Sequence, residues 1–274
     1  MAKTVSADKS IRAIVRGHVE SYAAGFSDRH LSELEDPEGT LNMKIHNVFI
    51  AALGKEIQYY SALARSLDSS LGNMLENMAI NIANLFYEVH TSVDGHITTK
   101  QINHISDILE SYTRNAKKPE IKDYQQLREE PAEKDIINKR KASDYYLIDK
   151  TSNSHHLIEL KIGGDLDNKK ARSEKEAILE QYSILSNSLP NKTIITIHFA
   201  TAYNRYGEGK PWNQSRVLQF FAKDELLIGK DFWNFICKSS SGYATVIDEY
   251  TKSAPLITSA LNKIKKSYLG ENDN

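Results

Sequence analysis

The chain has a single cysteine, six prolines and no long apolar run, and each shortage closes off a class of protein. One cysteine cannot form an internal disulfide, so a disulfide-stapled scaffold is excluded and a reducing cytoplasm is the simplest home. Cys237 lies in the apolar run Phe232-Trp-Asn-Phe-Ile-Cys and reads as packing. No apolar stretch approaches the roughly 18 residues of a membrane span. The N-terminus, Met1-Ala-Lys-Thr-Val-Ser-Ala-Asp-Lys9, lacks the apolar core of a signal peptide. No GxxxxGK[ST] or GxGxxG is present, so nucleotide binding has no support. No Cys/His set has zinc spacing. His155 and His156 are strand neighbours that point to opposite faces, and His198, between Ile197 and Phe199, reads as a core histidine. A net charge of −1 does not announce nucleic-acid binding by composition.

Against these absences one local pattern stands out. Ser143-Asp-Tyr-Tyr-Leu-Ile-Asp149 and His155-His-Leu-Ile-Glu-Leu-Lys-Ile162 are apolar runs flanking the polar cluster Lys150-Thr-Ser-Asn-Ser154, which is a hairpin signal. If 150–153 form the loop, Asp149 faces Ser154 and Asp144 faces Glu159. Glu159 and Lys161 share a strand face because side chains alternate with period two. Two acids and a lysine then converge on one side of a sheet. Like charges opposed across strands are destabilising, and a divalent cation would remove that penalty.

Charge is distributed unevenly around the hairpin. Lys139, Arg140 and Lys141 precede Asp144, while Lys169, Lys170, Arg172 and Lys175 follow Lys161. A positive rim around an acidic centre suits a polyanion whose phosphate must reach a metal. The alternative for each cluster is an ordinary solvated face. The loop 203–214 mixes aromatics, amides and cations; Asn204, Arg205, Lys210, Asn213 and Gln214 are candidate DNA contacts, since Arg reads guanine and Asn or Gln reads adenine. Alternatively it is a surface loop anchored by Trp212. Gly163-Gly164 would let DNA backbone or the next helix approach closely.

Periodicity divides the chain. Residues 1–115 read as a helical region, with helices over 10–24, 41–53, 57–67, 71–89 and 99–112 and a turn at Asp94-Gly95. Residues 116–142, charged and carrying Pro119 and Pro131, read as a connector. Residues 143–274 read as an α/β catalytic core with C-terminal helices: the hairpin, a helix over 168–186, a buried strand over 193–200, a short strand over 217–221, and helices over 230–237 and 243–266. The polar tail from Gly270 reads as frayed.

Phosphodiester hydrolysis needs an activated water, a sink for negative charge and help for the leaving oxygen. Carboxylate-bound Mg²⁺ supplies the first two. Asp144 and Glu159 offer hard oxygen ligands, the Leu160 carbonyl is a third, and Lys161 can hold the attacking water. The alternative is a salt bridge between Glu159 and a lysine.

Asp144 with Glu159-Leu160-Lys161 on a hairpin, followed by a helix and a buried strand, resembles the PD-(D/E)xK phosphodiesterase superfamily. Ser143 stands where the proline of that name would be. More specifically, four segments resemble the TdeIII-type type II restriction endonucleases: Ser70-Leu-Gly-Asn-Met-Leu-Glu-Asn77, Leu160-Lys-Ile-Gly-Gly-Asp-Leu-Asp-Asn-Lys-Lys-Ala-Arg-Ser-Glu-Lys175, His198-Phe-Ala-Thr-Ala-Tyr-Asn-Arg-Tyr-Gly-Glu-Gly209 and Leu226-Leu-Ile-Gly-Lys-Asp-Phe-Trp-Asn-Phe235. The likeness covers about 71–237. It implies an α/β PD-(D/E)xK restriction-endonuclease-like core, a mixed sheet flanked by helices, with an N-terminal helical region. It further implies Mg²⁺-dependent double-strand DNA cleavage at a short interrupted palindrome resembling GGNCC, and a cognate DNA methyltransferase as genetic partner. A homodimer follows because a two-fold site is most simply read by a two-fold protein. The N-terminal helices would form its interface, leaving the active face open. Glu76, on an upstream helix, would be an extra metal or water ligand, or else an ordinary helix acid. The competing expectations are a repair or junction nuclease of the same superfamily and a non-catalytic DNA-binding protein.

Overall fold

The computed structural model describes residues 2–128 and 135–270. Along the chain come α1 (Ala2–Ser32), α2 (Val48–Ala51), α3 (Lys55–Ala83), β1 (Tyr87–Thr98), α4 (Thr99–Thr113), α5 (Lys122–Gln125), β2 (Ile136–Asp149), β3 (His155–Leu160), α6 (Asn168–Ser188), β4 (Ile195–Thr201), α7 (Ser215–Leu218), β5 (Leu226–Ile228), α8 (Lys230–Ile236) and α9 (Gly242–Leu269). Contacts divide them into two compact units, 1–79 with 244–274, and 80–243. The expected bounds of a helical region ending at 115 and a core starting at 143 run differently. Pro131 of the expected connector and the tail beyond Gly270 lie outside the described residues.

The first unit is helical. Phe26, Leu41, Tyr59, Ala62, Leu63, Ile264 and Tyr268 pack into one apolar cluster, and Val19, Ala23, Ile257 and Ala260 into another. Arg12 pairs with Asp248 at 2.5 Å and with Glu249 at 3.3 Å, and Arg16 reaches Glu249 at 2.7 Å. The two helices expected over 57–67 and 71–89 are one continuous α3 that stops at Ala83. The helix expected over 41–53 is instead a 3₁₀ turn, Asn42–His46, and the single turn α2, because Asn47 takes extended backbone and caps α2 through Ile50 N–H.

The second unit is a mixed five-stranded sheet in the order β1-β2-β3-β4-β5. The pairs β1–β2 and β2–β3 are antiparallel, while β3–β4 and β4–β5 are parallel. Its core joins Leu157, Ile197 and Phe199 of the sheet to Ile105 and Leu109 of α4 and to Ala171, Ile178, Leu179 and Tyr182 of α6. An α/β mixed sheet flanked by helices is the expected fold class.

Three segments differ from expectation. Residues 87–98, read as the end of a helix and a turn, form β1, and Asp94-Gly95 sit mid-strand opposite Arg140 and Lys139. The long β2 supplies their partner, so pairing overrides the turn signal. For the same reason β2 begins at Ile136, inside the expected connector. Residues 217–221, read as a strand, belong to the end of α7 and the turn after it, where Gln214 caps the helix through Arg216 N–H; the last strand is β5 instead.

Candidate active site

The β2–β3 hairpin has the register read from its loop. Tyr145 pairs with Ile158, Tyr146 with Leu157, Leu147 with His156 and Ile148 with His155. Asp149 closes the loop: its N–H donates to Ser154 O at 2.9 Å, and its Oδ1 accepts from Thr151 and Ser152 N–H. Lys238 pairs with the same carboxylate at 2.6 Å, and with these donors it holds Asp149 down to about 2 against the opposing effect of burial. His155 and His156 do face opposite ways: His155 Nδ1 bonds Tyr146 Oη at 2.6 Å, and His156 Nδ1 bonds Thr196 Oγ1 at 2.7 Å. His198 shares that Thr196 hydroxyl at 2.9 Å, but its Nδ1 has no hydrogen-bond partner. It is satisfied on one nitrogen only.

Past the pair Tyr145 and Ile158, the two strands lead to Asp144 and Glu159, and the Asp144 charge acts on Glu159. The Leu160 N–H donates to Asp144 Oδ2 at 3.1 Å, which ties the acid of β2 to the backbone of β3. Lys161 follows β3, and its N–H donates to Ala200 O of β4. Its ammonium contacts Glu159 Oε1 directly and lies 3.6 Å from Asp144 Oδ2. The structure therefore brings Asp144, Glu159 and Lys161 together. Glu159 is buried, whereas the Asp144 side chain is 41% exposed, so the set opens to solvent on the Asp144 side.

A third acid was not anticipated. Glu174 Oε1, on α6, lies 3.4 Å from Lys161 Nζ. Its signal in the sequence was helical spacing: it falls three residues after buried Ala171 and four before buried Ile178, at the margin of the stripe that faces the sheet. Three carboxylates thus surround one ammonium. Burial, and then the nearby Asp144 charge, push the Glu159 carboxyl up to about 8, although Lys161 pulls the other way. For Lys161 burial works against the charged form, but the surrounding carboxylates outweigh it and raise its pKa.

The candidate DNA contacts are placed less uniformly. Lys139 (3.2 Å) and Lys141 both reach buried Glu180 on α6, while Arg140, between them, points to the other face near Asp94 at 3.5 Å. Lys169 and Lys170 are exposed at the start of α6. Arg172 lies 3.4 Å from Glu176. Lys175, read as part of the positive rim, is fully buried against Glu225 at 2.6 Å; this corrects that reading, because α6 turns it into the core. In the loop, Asn204 donates to Lys210 O and accepts from Tyr206 N–H. Gln214 caps α7 and donates to Asp165 at 3.3 Å. Asn204 is engaged within the loop, and Gln214 ties the end of the loop to α7 and Asp165. Arg205 pairs with Asp165 at 2.9 Å, and Lys210 and Asn213 are exposed.

Gly163 and Gly164 have a packing role. A Cβ on Gly163 would lie 2.7 Å from Tyr203 Oη, and one on Gly164, whose φ is +63°, would lie 2.7 Å from Thr201 Cγ2. They let the 203–212 loop close over the exit from β3. Glu76 lies half-buried on α3, in the first unit.

Among the described residues, no set of three or more His, Cys, Asp or Glu side chains is arranged to hold a metal ion. Asp144 and Glu159 are a pair of hard-oxygen donors rather than such a set. No helix among these residues is long and apolar enough to cross a membrane.

A mixed sheet carrying two acids and a lysine on this hairpin defines the class: a restriction-endonuclease-like α/β core consistent with the PD-(D/E)xK type. Residues 8–254 match the family model described as type II restriction endonuclease, HinfI, and the chain belongs to that family. No curated protein and no solved structure matches it. Membership makes the chain a nuclease, a hydrolase that binds DNA and cleaves it sequence-specifically within a restriction-modification system. The match extends neither to the TdeIII type nor to GGNCC.

Proposed function

We propose that this chain is a Mg²⁺-dependent type II restriction endonuclease with Asp144, Glu159 and Lys161 as its catalytic set. The observation that carries the proposal is the Lys161 ammonium held among acids at the open end of the β2–β3 hairpin. The donor chemistry suits a hard divalent cation. Asp144 is partly exposed, and buried Glu159 is a poor anion until a cation offsets its charge. Asp144, Glu159 and the Leu160 carbonyl would hold Mg²⁺, which when bound supplies Lewis acidity and a water of lowered pKa. The Leu160 N–H fixes the Asp144 carboxylate. Lys161 orients the attacking water and offsets charge at the phosphate.

Lys169, Lys170, Arg172, Arg205, Lys210 and Asn213 are proposed to face DNA, with Arg140 on the opposite side of β2. Lys139 and Lys141 would join them by exchanging Glu180 for phosphate. Asn204 and Gln214 shape the loop that presents Arg205. The substrate is a short interrupted palindrome, for which GGNCC is the first sequence to test.

A homodimer would match that symmetry. Support comes from the first unit, where Phe49 is 83% and Val48 68% exposed, with Leu53 and Ile57 also exposed nearby. Clustered apolar exposure of this kind marks interaction surfaces. A cognate methyltransferase would protect host DNA.

Digestion of a mapped plasmid with Mg²⁺, and with chelator, tests the reading. Discrete fragments that map to one palindrome and vanish with chelator are expected. A smear would indicate a different nuclease, and metal-independent gel shifts without products would indicate a binding protein.

A further inference from the structure

Lys161 is surrounded by three acids, and two of them have another task in the proposed mechanism. If Asp144 and Glu159 turn to a cation, they no longer hold the ammonium. Glu174 is then the remaining carboxylate beside it, 3.4 Å away on a separate element. We infer that Glu174 is a positioning residue that keeps the Lys161 ammonium aimed at the reacting phosphate when the two hairpin acids are engaged. This rests on the proposed catalytic set.

The placement of Glu174 argues against an incidental surface acid. Asp167 caps α6, its carboxylate accepting from Lys170 N–H at 2.7 Å, which fixes the rotation of the first turns. Two turns on, Glu174 falls at the margin of the stripe formed by Ala171, Lys175 and Ile178, all buried. Only 26% of its side chain is exposed. A carboxylate at the edge of a core-facing stripe costs desolvation unless it is paired, and the partner found here is Lys161. A flexible four-carbon lysine also loses considerable rotamer freedom when held in one place, so a fixed anion on a rigid helix is an effective guide.

The test uses the full-length protein and a duplex bearing its mapped site. Glu174→Gln removes the charge and keeps the shape. The expected result is a single-turnover cleavage rate lowered by roughly 10- to 100-fold. Duplex affinity in Ca²⁺, and Ca²⁺ affinity by calorimetry, should stay at wild-type values. Glu174→Asp, which keeps the charge but withdraws it, should fall between; it carries the test if the Gln variant fails to fold. A wild-type rate in Glu174→Gln would overturn the inference. So would a rate loss that tracks lost Ca²⁺ affinity, since Glu174 would then be a metal ligand. Failure of the wild-type protein to cleave any duplex would instead remove the proposed function itself.

Discussion

Two neighbouring residues of α6 enter opposite kinds of ion cluster. Lys175 meets Glu225 in a closed pair: both are fully buried, the separation is 2.6 Å, and the ammonium lies 4.9 Å and 4.8 Å from the Tyr124 and Phe221 ring centroids. Glu225 also accepts from Ala222 N–H. Each charge is matched and water is shut out. Glu174, one residue earlier, joins a set in which three acids face Lys161 and one side stays open. A balanced, sealed pair is an element of the fold. An unbalanced, half-open set costs stability, and its surplus of negative charge is one that a bound cation could offset.

The largest contrast lies in activity. Glu159→Ala should lower cleavage by roughly 10³-fold or more while duplex affinity in Ca²⁺ persists. Undiminished nicking would break the contrast by making the open set as inert as the sealed one. Stability should respond the other way. Lys175→Met leaves Glu225 buried without its partner and should cost about 3–5 kcal/mol in denaturant unfolding, whereas the double replacement Lys175→Met with Glu225→Leu should recover most of that loss. If the single change is silent, the pair is not sealed as described.

Unmatched surface in the helical unit extends the comparison. Phe49 is apolar and exposed where Phe26 is buried. In the proposed homodimer, Phe49→Glu should raise the dissociation constant by roughly 30-fold, about 2 kcal/mol, as read by sedimentation. Unchanged dimerisation would assign the interface elsewhere.

A further effect is on pH dependence. Glu159 is raised from an ordinary 4.5 to about 8. In that window the folded protein holds a proton that the unfolded chain has released, so its contribution to stability falls as pH rises toward 8 and levels off above. Without metal, the unfolding midpoint relative to Glu159→Gln should fall across this range. A parallel pair of curves would contradict the assigned shift.

The sequence was most informative where local and long-range signals agreed. The apolar runs at 145–148 and 155–158 and the polar loop between them set a register that the sheet keeps. Asp167, which caps α6, is a local signal, and the helix starts at Asn168 as expected. Legibility failed where tertiary pairing decides. Asp94-Gly95 looks like a turn alone and becomes strand only beside Arg140 and Lys139. Val48 and Phe49 fit an apolar helical face, yet Asn47 interrupts the helix and both side chains stay exposed. Lys175 looked like rim charge because its partner, Glu225, is distant in sequence. Glu174 escaped for the same reason: its meaning depends on how closely α6 packs against the exit from β3.

Single-turnover cleavage by Lys161→Ala, on a duplex carrying the mapped site, tests the central claim most directly. The account predicts a folded protein that binds the duplex in Ca²⁺ as tightly as wild type and yields no detectable product with Mg²⁺. Cleavage at the wild-type rate would show that the ammonium among the three acids takes no part in the chemistry.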